Sequence, residues 1–119
     1  MDAVPEFKAE VRFLSLQEGG RQQPTVQGYR ADVHWDADQS DTLWMIWPRF
    51  LAPTGEELPD GTEVPQSCIA HFYLLSPQVR KQLHQQWLHE GARFHISEGR
   101  LRVASCVITK VLRSGESGV

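Results

Sequence analysis

Cysteine is scarce in this 119-residue chain: Cys68 and Cys106 are the only two. Both sit in apolar, strand-like context, Ser-Cys-Ile and Ser-Cys-Val, so free buried thiols are expected and a disulfide framework is not. Long apolar runs are missing too. The best is 43-LWMIW-47, five residues, against the ~18 that a membrane helix needs. The N-terminus, 1-MDAVPEFKAEVRF-13, has acids and a proline where a signal peptide carries a basic start and an apolar stretch. The expected setting is therefore cytoplasmic, with no membrane. There is no basic excess: the net charge is −3, which weighs against a bulk nucleic-acid binder. There is also no G-x-x-x-x-G-K-[ST], so nothing is built to cradle a nucleotide's phosphates.

What is present fits one modest core. Apolar residues make up 40% and charged residues 23%, a composition that folds. One domain over 1–119 is expected, with its core about 6–112 and a flexible tail over 113–119. In 7-FKAEVRFLSL-16, Phe7, Ala9, Val11 and Phe13 alternate with Lys8, Glu10 and Arg12, the period of a half-buried strand. In 29-YRADVHW-35, Tyr29, Ala31, Val33 and Trp35 alternate with Arg30, Asp32 and His34. The run 43-LWMIWPRFL-51 is broken by Pro48, which marks a strand end, a bulge or an edge. Residues 53–66 hold three prolines and two glycines and read as a loop, with Pro59-Asp60-Gly61 as a turn.

A strand over 68-CIAHFYLL-75 precedes Ser76-Pro77, a helix start with serine as cap and proline at the first helical position. Val79, Leu83 and Trp87 recur at spacing four, which predicts a helix of roughly three turns near 77–90, stopped by Gly91. The runs 92-ARFHISE-98 and 100-RLRVASCVITKVL-112 read as the last two strands. In the second, Leu101, Val103, Ser105 and Val107 are expected on one face and Arg102, Ala104 and Cys106 on the other. About six strands separated by turns predict an antiparallel sandwich or barrel.

Charge is segregated along the chain. Residues 31–63 hold Asp32, Asp36, Asp38, Asp41, Glu56, Glu57, Asp60 and Glu63 against Arg49 alone, while 80–113 hold seven Lys/Arg against Glu90 and Glu98. A fold that separates these segments would be electrically bipolar. His71, His84, His89 and His95 do not make a metal motif: His84 and His89 are five apart, off one helical face, and no cysteine stands at a ligand spacing. Cys106 lies mid-strand without a readable catalytic partner, and the paired acids lie in polar loops. No metal, no cofactor and no enzymatic activity are expected. Trp44 and Trp47 put apolar groups on both faces of one strand, and Trp87 lies on the helix. A barrel strand buries one face inside; the other meets the helix, a partner or water. Trp44, Trp47, Arg49 and Trp87 are therefore protein-interface candidates.

Four segments, in order, resemble the C-terminal (third) domain of the elongation factor Tu family. Phe7-Lys8-Ala9-Glu10-Val11 resembles its F-x-A-x-V first strand. Glu18-Gly19-Gly20-Arg21, Pro24 and Gly28-Tyr29-Arg30 resemble its E-G-G-R-x-x-P…-Y-R signature. Glu90-Gly91-Ala92-Arg93-Phe94-His95-Ile96 with Glu98-Gly99 resembles E-G-x-R-F-x-I-R-E-G, and 107–112 the closing V-V-T-K-I-L strand. The resemblance implies an all-β fold, a six-stranded antiparallel barrel, here with one helix inserted near 77–90. Gly19-Gly20 then read as a hairpin reversal with Arg21 at its tip. In the family this loop and the E-G turn lie near aminoacyl-tRNA, which makes Arg21, Glu98, Gly99, Arg100 and Arg102 RNA-binding candidates.

The sequence also departs from the family. Asp36 stands where the family has an arginine, which against RNA would repel. The closing turn reads Glu98-Gly99-Arg100-Leu101-Arg102, and the helix replaces a short connection. GTPase chemistry belongs to another domain of the family, so no GTP is expected. The leading expectation is a non-enzymatic module that engages a protein partner linked to translation. A barrel that binds tRNA or another structured RNA is the alternative, and a detached structural domain of a larger assembly the third.

Overall fold

The computed structural model describes residues 4–114. Six strands follow in chain order: β1 (Phe7–Phe13), β2 (Asp32–Trp35), β3 (Ile46–Leu51), β4 (Ser67–Leu74), β5 (Arg93–Glu98) and β6 (Leu101–Val111). Between β4 and β5 lie a 3-10 turn, Pro77–Val79, and one helix, α1 (Arg80–Gln86). All five strand pairings are antiparallel, in the order β2-β5-β6-β1-β4-β3. The sheet curls until its two outer strands meet. Val33 and Trp44 exchange a pair of backbone hydrogen bonds, both 2.9 Å, across the gap between β2 and the approach to β3. The all-β, six-stranded antiparallel frame with one inserted helix is thus the fold that the sequence pattern predicts.

The alternation explains the core. Phe7, Ala9, Val11 and Phe13 of β1 point inward, as do Ala31, Val33 and Trp35 around β2. Phe7 stacks on Phe72 at 5.0 Å and meets Phe94 edge-on at 5.6 Å; Trp35 lies 5.1 Å from Phe94. Such offset and edge-on aromatic pairs add about 0.5–1.5 kcal/mol each beyond their buried area. The helix covers one end of this core. Leu83 is fully buried, and the Trp87 ring stacks on Trp35 at 6.1 Å and 6°.

Several local expectations change. The helix is one 3-10 turn followed by about two α turns, and it ends at Gln86 instead of near 90. Ser76 makes no capping hydrogen bond, and the turn after α1 begins at Trp87, four residues before Gly91. Gly91 serves the next strand instead: at φ 86° its N–H donates to the Ile108 carbonyl. Gly19-Gly20 do not close a hairpin either, because β1 lies between β6 and β4 and never pairs with β2. Ser15 and Glu18 form a reciprocal capping box around the 3-10 turn Leu16–Glu18, and Gly19 ends it at φ 90°. Gly20 is required for a different reason. A Cβ there would stand 2.3 Å from the Leu14 carbonyl oxygen.

On β6 the inward residues are Val103, Ala104, Cys106 and Ile108: Ala104 and Cys106 share a face as expected, and Val103 departs from its expected face. Ile96 pairs Ala104 while Ser97 pairs Arg102, which leaves Val103 as an extra residue. A bulge of this kind flips the two-residue phase of everything beyond it. The two cysteines are free. Both face Val11, from β4 and from β6, so they stand two strands apart, roughly 9.5 Å. That exceeds the ~7 Å reach of a disulfide.

Pro48 lies inside β3, on its outer edge, one of the positions expected for it. Every N–H along that edge is accounted for. Ile46 donates to Trp44 O, Pro48 has no donor, and Ala52 donates to Glu56 O. Phe50 is served by a side chain: its N–H donates to Gln27 Oε1 and its carbonyl accepts from Gln27 Nε2, both 2.9 Å. Gln27 is only 3% exposed and acts as a one-residue strand. The expected 53–66 loop is irregular, with Thr62 N–H closing the turn onto Pro59 O. Of the expected tail, 115–119 lie outside the described residues.

Candidate functional site

The interface candidates do not form one patch. Trp44 and Trp87 line a cleft between the 38–42 loop and α1, with Gln82 and Gln86 on the helix side. Their indole N–H groups, like that of Trp35, are buried without a partner. Trp47 stands elsewhere, on the outer face of β3. It lines a groove of about 570 Å³ with Tyr29, Arg30, Arg49, Tyr73 and Leu75 among others.

Strand pleating builds this groove. Odd-numbered residues of β3 face outward, and antiparallel register sets Trp47 opposite Tyr73 and Arg49 opposite His71. Just before β3, Met45 accepts a backbone hydrogen bond from Leu75 and is 54% exposed; Leu75 is 38% exposed. Met45, Trp47, Tyr73 and Leu75 thus form a continuous apolar row on the outside of the sheet. The Arg30 guanidinium lies 4.6 Å from the centre of the Trp47 ring. Such stacking contributes about 0.5–1 kcal/mol at an exposed site and holds both groups in place. Arg30 has no carboxylate partner among the described residues. Arg49 has two, Glu57 at 2.9 Å and Asp60 at 2.8 Å, so its charge is spent on the 53–66 loop. Burial, then the nearby Lys8, depresses the His71 pKa, so this side chain adds no charge near neutral pH.

The RNA-binding candidates also divide. Arg21 is not a free loop tip. Its Nε pairs with Glu98 at 2.9 Å, and its guanidinium lies 4.7 Å over the Tyr29 ring. Tyr29 donates its hydroxyl proton to the same carboxylate. Burial, then Glu98, holds the Tyr29 phenol well above its ordinary range. Arg21, Tyr29 and Glu98 therefore form a closed cluster that ties the 19–30 loop to the β5–β6 turn. Gly99, Arg100 and Arg102 lie beyond it, lining a second groove of about 610 Å³ with His34, Ser97 and Asp41. Both arginines are exposed and have no ion pair among the described residues.

Asp41 in this groove shows that the acidic segment and the basic segment are not on separate faces. Asp36, at the position where a phosphate-facing cation was sought, bonds His95 Nδ1 at 2.6 Å.

No protein-family model matches this chain.

Neither cysteine lines either groove. Burial pushes the Cys68 thiol up to about 11 and raises Cys106 further above its ordinary value. Among the described residues, no three His, Cys, Asp or Glu side chains stand together as a metal site would require. Sequence reasoning found Trp47 and Arg49 but missed Arg30, Met45, Tyr73 and Leu75. The alternation of 68–75 carries a signal for Tyr73: it shares a face with His71 and Leu75, opposite the inward Phe72. Arg30 has no such signal, because its contact with Trp47 depends on how the 14–31 crossover returns to the barrel.

Proposed function

We propose that this chain is a non-enzymatic protein-binding module. Its partner surface is the outer face of β3 and β4. The observation that carries this reading is the outward row Met45, Trp47, Tyr73 and Leu75, exposed at Met45 and Leu75 and half-buried at Trp47 and Tyr73, with Arg30 stacked on the tryptophan. Tryptophan, tyrosine, methionine and arginine together are the composition of an interface centre, and the β3 edge beside them is closed to strand addition. The partner is proposed to belong to the translation apparatus. That step rests on the resemblance of the four segments to the third domain of elongation factor Tu, and the six-stranded antiparallel frame is compatible with it.

The test is capture from a bacterial lysate, with and without RNase, by the wild type and by Trp47→Ala/Tyr73→Ala. A protein that survives RNase and is lost with the double variant supports the module. Capture that is equal for both forms removes this face from consideration. A second reading, RNA binding, is favoured by one observation: Arg100 and Arg102 are exposed and have no ion pair among the described residues. Asp41 across the same groove opposes it. If RNA binds there, Arg100→Ala/Arg102→Ala reduces both affinity and its salt slope, whereas Trp47→Ala leaves them unchanged.

A further inference from the structure

We infer that the groove over β3 and β4 takes an extended, proline-rich peptide segment with an acidic residue at one flank. This inference rests on the protein-binding reading and names the chemistry of the partner. Three features of the groove select this occupant over other peptides.

The first is the closed edge. A peptide adding to β3 as a strand would find no donor or acceptor at Phe50, where Gln27 already occupies both, and no donor at Pro48. A polyproline II segment makes no ladder demand, because its backbone groups remain solvated. The second is the wall chemistry. Tyr29, Trp47 and Tyr73 put three aromatic rings around about 570 Å³, with Pro48 and Leu75 between them. Aromatic-walled grooves of this kind hold proline rings by packing alone, and the ligand's preformed conformation reduces the entropy lost on binding. The third is a donor left open to a ligand. The Trp47 indole N–H has no acceptor among the described residues, and unlike those of Trp35, Trp44 and Trp87 it is not buried. A free carbonyl of a bound segment can replace water there. A helix uses its carbonyls internally, whereas a polyproline II segment leaves them open.

Charge then sets the flank. Arg49 is neutralised by Glu57 and Asp60, so Arg30 is the groove's arginine without a carboxylate among the described residues. An Asp or Glu beside the proline core completes it.

An array of peptides with a Pro-x-x-Pro core and varied flanks tests this, read by fluorescence anisotropy with the full chain. Proline-core peptides with a Glu flank should bind at least about tenfold more tightly than their Pro→Ala counterparts. Trp47→Ala should abolish that binding, and Trp47→Phe, which keeps a ring but loses the N–H, should weaken it. Arg30→Ala should retain the proline preference and lose the preference for Glu over Lys. Circular dichroism confirms that each variant is folded. No proline preference anywhere in the array overturns the inference, as does proline-core binding that ignores Trp47. An amphipathic helical peptide binding more tightly through Trp47 also overturns it. In each case, a lysate partner lost with Trp47→Ala/Tyr73→Ala would leave the protein-binding reading standing. If no such partner exists either, both readings fall.

Discussion

Glu6 is 1% exposed and faces Arg80, His84 and, at 3.9 Å, Arg113. Arg80 donates to its Oε1 through Nε and Nη2, both at 2.9 Å, and His84 Nε2 lies 3.0 Å from Oε2. Arg80 is itself 6% exposed. The cluster fixes α1 to the start of β1, since the Glu6 backbone already bonds Phe72 and Leu112. Glu6→Gln keeps the shape and deletes the charge, leaving a buried guanidinium without a counter-ion. Removing one member of a buried pair costs about 3–5 kcal/mol. At roughly 4 °C per kcal/mol for a domain of this size, that lowers Tm by about 12–20 °C. The assay is paired urea and thermal unfolding followed by circular dichroism. The companion variant is Glu6→Gln/Arg80→Met, in which no ion is left buried. It should recover stability relative to Glu6→Gln, since apolar replacement of a buried pair is often neutral or favourable. A loss under about 1 kcal/mol for Glu6→Gln, or a double variant no better than the single one, would refute the reasoning. It would mean that water reaches the pair and solvates Arg80.

Other expectations follow from the same geometry. Gly20→Ala forces a Cβ into the Leu14 carbonyl and should cost on the order of 2 kcal/mol by chemical denaturation, through the backbone shift it demands. Glu18 is held down to about 2 by the Arg12 hydrogen bond and then the Ser15 N–H. Its folded value is depressed, so its contribution is present above its ordinary value of 4.5 and is lost as pH falls from there towards 2. Glu18→Gln should flatten the stability–pH slope in that window. Cys106 should react with a thiol reagent at pH 7 only on the timescale of opening, whereas the half-buried Cys68 should react sooner but slowly, its thiol pushed up by burial, and both should titrate fully in denaturant. Trp47→Ala should change stability by less than about 1 kcal/mol while removing partner binding, because its ring lies outside the core cluster.

The frame was legible where two-residue periodicity is strong. Phe7–Phe13 and Ala31–Trp35 present the faces that their alternation predicts. The bulge at Val103 was not legible, because it leaves no local mark in Arg-Val-Ala-Ser. The end of α1 was not legible because the Val79–Leu83–Trp87 spacing continues past Gln86, where Trp87 turns to stack on Trp35. The candidate site was half legible. Trp47 stood out as an apolar group on the wrong face, but its setting depends on register with β4 and on the Arg30 crossover. Arg21 looked like a free cation because its partner, Glu98, is 77 residues away in sequence. A separation of 74 residues hides the Glu6–Arg80 pair in the same way.

The central place of β1 in the sheet has a consequence for how the chain is made. The first strand pairs with the last, Ala9 opposite Ile108, and its other neighbour is β4. On a ribosome working at roughly 5–20 residues per second, β1 waits several seconds or more for β6 to be synthesised. Until then Phe7, Ala9 and Val11 have no complete wall to pack against, and one long edge of β1 stands open. The nascent chain is therefore at its most adhesive just before β6 emerges. Any chaperone that escorts it would be expected to bind the β1–β4 half and to leave when β6 closes over it.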